Sequence, residues 1–179
     1  MSGQWASVWQ PSTLTYTPPE NPSRNLQTLF AYVEARNSWH ESPDSFLALF
    51  DDNLEHRILP QSLEKPVLNK KQYRELISGL LRFIKAYKMT LHDVIETEDT
   101  IVAHASSVTQ GVYGTCSTSE YMITLRFAPP SEGELPKISY VKEFVDSLSS
   151  VEFFKEERRR AQLAKSQGSP SLNGSNGSD

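Results

Sequence analysis

Cysteine is nearly absent: the lone Cys116 excludes an internal disulfide and any thiolate zinc cluster. Long apolar runs are missing too. The longest, Ile77 to Ile84, is interrupted by Gly79 and Arg82 and is far too short for a transmembrane helix. No basic segment followed by an apolar stretch opens the chain, so no secretory signal is expected. Excess positive charge is also lacking. A formal net charge of −4 argues against the basic face that a nucleic-acid binder needs. The four histidines have no metal-ligand spacing such as HExxH, and there is no GxSxG elbow, phosphate-cradling loop or GxGxxG fingerprint. These absences lead us to expect a cytoplasmic protein with no membrane or nucleic-acid partner, no metal and no cofactor. What is present is 179 residues, 37% hydrophobic and 10% aromatic, enough for one domain with its own core.

The ends differ from the middle. Residues 166–179 are almost wholly Ser, Gly, Asn and Asp, and the composition predicts a disordered tail. Residues 1–22 carry four prolines, which predicts an extended arm. That arm also holds Trp5, Trp9, Leu14 and Tyr16, so some of these rings are expected to dock, on the body or on a partner subunit. One domain remains, residues 23–165.

Within it, Asn21 and Pro22 signal the start of a helix carrying Leu26, Leu29, Phe30 and Val33, ending near Trp39 and His40. Pro43 opens a short second helix. Leu54, His56 and Ile58 then alternate with Glu55, Arg57 and Leu59 as a strand closed by Pro60. Asn69 and Gln72 form a capping box for a helix whose apolar stripe runs from Tyr73 through Ile84 to Tyr87, with Gly79 kept for close packing. From residue 88 the period is two. Strands are expected over 89–97, 100–113, 120–128 and 137–146, followed by a helix capped by Ser149 and Glu152 that ends in the solvated run KEERRR. Helices first and a meander afterwards give an α+β fold, with a curved, mostly antiparallel sheet wrapped around the N-terminal helices.

The segments RNLQTLFAYVEARNSWH, SPDSFLALFDDNLEHRILP, NKKQYRELISGLLRFIKAY and KISYVKEFVDS occur in this order and span nearly all of the structured chain. They resemble the NTF2-like α+β cones, and within them the SnoaL-like proteins common in fungi. The resemblance implies a cavity inside the cone and a homodimer paired through the exposed sheet face. Its members include isomerases, dehydratases and cyclases of polyketides and meroterpenoids, and proteins with no catalysis, so fold does not fix activity.

Acid–base chemistry in such a cone needs polar groups on otherwise apolar strand faces, where burial moves a carboxylate or imidazole toward neutrality. Glu143 stands between Val141 and Val145 and is the first candidate. Asp146, at the strand end, matches the family's aspartate in EFVDS. For each carboxylate the alternative is a salt bridge to Lys142, Arg57 or Arg126. His56 lies between Leu54 and Ile58, as an acid–base partner or a satisfied core histidine. A register reversed by one residue would turn Arg57 inward as an oxyanion clamp. Tyr121 could donate to a substrate carbonyl or serve only in the core. His104, Tyr73 and Trp39 are expected to line the pocket, with His104 equally compatible with a subunit interface. Cys116 has no neighbouring histidine in sequence and reads as structural.

Overall fold

The computed structural model describes residues 15–39 and 43–167. The docking expected of Trp5, Trp9 and Leu14 falls outside these residues, as do His40 and the tail from residue 168. In chain order the elements are α1 (Arg24–Asn37), α2 (Pro43–Leu47), β1 (Phe50–Leu59), α3 (Lys70–Leu80), β2 (Ile84–Glu96), β3 (Thr100–Gly111), β4 (Cys116–Phe127), β5 (Ile138–Val145) and α4 (Ser147–Gln167). The strands form one sheet in the order β1-β5-β4-β3-β2. The last four are antiparallel neighbours, whereas β1 joins β5 in parallel. The expected α+β architecture is thus present, with one parallel edge. Among the described residues, no helix is long and apolar enough to cross a membrane.

Local chemistry explains most boundaries. The Ser23 hydroxyl accepts the Leu26 N–H at 3.0 Å, so α1 starts two residues later than Asn21 and Pro22 suggest. The capping box of α3 forms as expected: Asn69 Oδ1 accepts from Gln72 N at 2.9 Å, and Gln72 Oε1 from Asn69 N at 3.0 Å. That helix stops at Leu80, however, and Ile84 and Tyr87 belong to β2. A bulge between Ile84 and Ala86 adds one residue to the strand, so Ile84 and Tyr87 are both buried although three apart. The bulge reproduces a helical spacing in extended backbone. Gly79 is not closely packed either, because a Cβ there would meet nothing within 4 Å.

The last helix begins earlier than Ser149, because the Asp146 carboxylate accepts the Ser149 N–H at 3.1 Å and caps α4. Nor is KEERRR its solvated end. Glu157 is fully buried, and its carboxylate accepts the backbone N–H groups of Tyr113 and Thr115 in the β3–β4 turn. Gly111 makes room for it: a Cβ there would clash with that carboxylate. Arg159 and Arg160 both pair with Glu156 on the outside.

The core lies between α1, α2 and the inner sheet face, where Leu29, Tyr32, Phe46, Phe50, Ile123 and Leu125 have almost no exposure. Both sheet edges carry added backbone. Leu68 exchanges two 2.9 Å hydrogen bonds with His56 on β1, and Tyr16 N–H donates to Leu91 O on β2 at 3.0 Å. The Tyr16 ring also rests against Phe30, with centroids 6.2 Å apart.

Gly79→Ala is expected to stabilise the protein by about 0.5–1 kcal/mol, because alanine lowers the helix cost and finds open space. Urea denaturation checks this, and a lower midpoint would show that the position needs glycine.

Candidate active site

The alternation in β5 points Val141, Glu143 and Val145 inward, and the paired β1 points His56 and Ile58 the same way. Glu143 is 4% exposed and His56 1%. A third group meets them from α1. Arg36 follows Leu29 and Tyr32 on the buried stripe of that helix, and its Nη2 donates to Glu143 Oε1 at 3.0 Å. Arg36 Nη1 donates to the Tyr32 hydroxyl at 2.7 Å and Nε to the Tyr87 hydroxyl at 3.3 Å. The guanidinium also lies over the Trp39 ring, 5.1 Å from its centroid. Glu143 Oε2 faces His56 Nε2 at 3.6 Å. The imidazole stacks on Tyr73 with centroids 4.1 Å apart and planes 18° apart.

Burial alone would raise the Glu143 carboxyl, but the Arg36 guanidinium and the His56 ring beside it outweigh burial. They carry it from its ordinary 4.5 down to about 2. The expectation that burial would move Glu143 toward neutrality is therefore corrected: it is a firmly ionised carboxylate. Burial likewise opposes the charge on Arg36, and Glu143 more than offsets it. Burial pushes the Tyr121 and Tyr73 phenols well up, so both stay protonated. The Tyr121 hydroxyl is within 3.0 Å of Ser107 Oγ. Both His56 ring nitrogens, and Trp39 Nε1, are buried with no hydrogen-bond partner among the described residues. Unpaired buried polar atoms are rare, because each forfeits its hydration.

These groups form the floor of a cavity of about 820 Å³, within the usual range for a small-molecule site. Arg36, His56, Tyr87, Tyr121 and Glu143 line its depth. Its walls are apolar on the α3 side, with Leu76, Ile77 and Leu80, and hydroxyl-bearing on the strand side, with Thr109, Ser117 and Ser119. Among its lining residues, Lys65, Glu75 on α3, and Val151 and Arg158 on α4 are exposed and mark its mouth.

Of the residues singled out in the sequence, the structure brings Glu143, His56, Tyr121, Tyr73 and Trp39 to this cavity. Three lie elsewhere. Arg57 points outward and donates to Glu55 at 2.6 Å, because His56 takes the inward register position. Asp146 is exposed and caps α4. His104 is on the outer sheet face, paired with Glu120 at 2.7 Å and 5.1 Å from the ring of His92. Sequence reasoning missed Arg36 altogether, and none of Lys142, Arg57 and Arg126 is the partner of Glu143. The signal was the spacing of Leu29, Tyr32 and Arg36, which puts a cation on a buried helical stripe. Among the described residues, no group of three His, Cys, Asp or Glu side chains could hold a metal.

No family model matches the chain. A curated relative, the monooxygenase AacuO of Aspergillus aculeatus, is 25% identical over 133 residues, which are 73% of this chain and 79% of that protein. The crystal structure of the BvnE pinacolase from Penicillium brevicompactum matches with a TM-score of 0.65 at 24% identity, over 78% of this chain and 96% of that one. An NTF2-like protein of unknown function from Burkholderia pseudomallei matches with a TM-score of 0.60 at 16% identity, over 73% and 97%. The fold is NTF2-like. Within that fold the inner sheet face and the helices above it enclose the cavity, and the buried Arg36–Glu143 pair lies there.

Because the folded Glu143 carboxyl is depressed, its stabilisation is complete above the ordinary 4.5 and is lost as the pH falls toward about 2. The loss should be roughly 3 kcal/mol, and Glu143→Gln should flatten that part of the profile. Urea unfolding at pH 6, 4 and 2.5 measures it. Equal acid sensitivity in both proteins would mean that Glu143 is not held ionised.

Proposed function

We propose that this protein is a cofactor-free isomerase, cyclase or dehydratase that works by acid–base catalysis on a small, mostly apolar, polyketide- or terpenoid-like metabolite. The observation that carries the reading is the buried chain Arg36–Glu143–His56 at the floor of an 820 Å³ cavity with one apolar wall. Two fungal relatives named for small-molecule enzymes, a pinacolase and a monooxygenase, support an enzyme and fit the SnoaL-like resemblance.

In this mechanism a substrate carbonyl accepts the Tyr121 O–H, and His56 takes the proton from the adjacent carbon. The Glu143 carboxylate stabilises the imidazolium that forms, and Arg36 keeps that carboxylate ionised and fixed. His56 then returns the proton to a second position, which completes an isomerisation or protonates a departing hydroxyl. A substrate oxygen near Trp39 would also satisfy the unpaired indole N–H. A carboxylate held this low is a weak base, so the proton is carried by His56 and Glu143 acts through it.

The second reading is a non-catalytic small-molecule-binding module, and the coverage of both His56 ring nitrogens favours it. Deuterium exchange separates the two. The wild type should exchange the α-hydrogens of enolisable cyclic ketones in D2O, and His56→Phe should slow exchange by about 10²–10⁴-fold while ligand binding persists. Equal exchange by both proteins above the buffer rate would overturn the role of His56, and exchange no faster than in buffer would leave the binding module.

We also propose a homodimer through the outer sheet face. Met122 and Phe144 are register neighbours there, 47% and 52% exposed. Light scattering should give twice the chain mass for the wild type and the single-chain mass for Phe144→Lys. A monomeric wild type overturns this part.

A further inference from the structure

The charges at the mouth of the cavity are not balanced. Lys65 and Glu75 both line it and are of opposite sign. On the α4 rim, Arg158 also lines the mouth. Its neighbours Arg159 and Arg160 are both engaged by Glu156. Arg158 has no hydrogen-bond or ion-pair partner among the described residues. Its guanidinium lies instead over two rings, 5.8 Å from the Phe83 centroid and 5.9 Å from the Phe154 centroid. Both rings are themselves cavity lining. Contact with the two rings, which stand at 80° to each other, uses none of the guanidinium's hydrogen bonds, so its N–H groups stay available to bind an oxyanion in the two-pronged manner. It also lowers the number of rotamers lost when an anion is captured.

The depth of the cavity does not oppose an anion at the mouth, because Arg36 neutralises Glu143. We infer that Arg158 is an anion subsite, so the ligand is an apolar-bodied acid whose oxyanion, a carboxylate or an acidic enolate or phenolate, stays at the mouth while its body enters the cavity. The inference rests on the reading of this cavity as the reaction site and adds the substrate's charge and orientation. A reacting carbonyl would then lie at the end of the molecule opposite its oxyanion.

Two dyes that differ only by a charged group test this. 8-Anilinonaphthalene-1-sulfonate is an apolar-bodied anion, and N-phenyl-1-naphthylamine is the same body without the sulfonate. The wild type should bind the sulfonate more tightly, and the preference should weaken with salt. Arg158→Gln should lower sulfonate affinity about tenfold and leave the neutral dye unchanged, while Arg158→Lys should retain part of the preference. If the neutral dye binds and Arg158→Gln leaves sulfonate affinity as it was, the anion subsite is wrong and the cavity reading stands. If neither dye binds, both fall. Equal loss of both dyes in Arg158→Gln would make Arg158 a packing residue and also overturn the assignment.

Discussion

The Arg36–Glu143 ion pair is the constraint around which the interior is arranged. Two charges removed from water cost several kcal/mol each, and their attraction offsets that only when the remaining donors and lone pairs are also occupied. Here the other two Arg36 nitrogens donate to Tyr32 and Tyr87, and the second Glu143 oxygen faces the His56 ring at 3.6 Å, near enough for its charge though not for a hydrogen bond. The pair therefore fixes four elements at once: α1 through Arg36, β5 through Glu143, β2 through Tyr87 and β1 through His56. A hydrophobic pair of similar volume could hold the same elements together. It could not hold an ionised carboxylate against an imidazole at the base of a cavity.

The polarity of the cavity follows from how the fold is layered. Strand alternation supplies the inner face of the sheet, and α3 lays an aliphatic stripe across from it. Polar side chains enter where the sheet leaves the dry core, along Thr109, Ser117, Ser119 and Tyr121. The deep end is charged but neutral overall, the middle is two-sided, and the mouth carries a cation backed by rings. Such a gradient suits a ligand with different chemistry at its two ends.

The order of elements and the faces of the strands were legible because period-two alternation is a strong signal when one face is buried. Glu143 and His56 emerged by that route, each polar among apolar neighbours. Arg36 did not, since its partner lies 107 residues away and only its place on the stripe of Leu29 and Tyr32 sets it apart from a surface arginine. Ile84 and Tyr87 misled for another reason, because a bulge gave strand residues the spacing of a helix. Asp146 and Arg57 looked functional by position. Local interactions decide both: a helix cap in one case, and a neighbour two residues back in the other.

The two flanking backbones at the sheet edges bear on how this chain meets other chains. An open edge strand offers a row of N–H and C=O groups on which a foreign strand can grow. Leu68 occupies both backbone groups of His56 on β1, and Tyr16 takes a carbonyl on β2. Strand addition, and the fibrous aggregation that it seeds, is thereby hindered at both ends of the sheet. The same short contact from Leu68 immobilises the backbone beneath the catalytic candidate, so protection against misassembly and positioning of the imidazole come from one pair of hydrogen bonds.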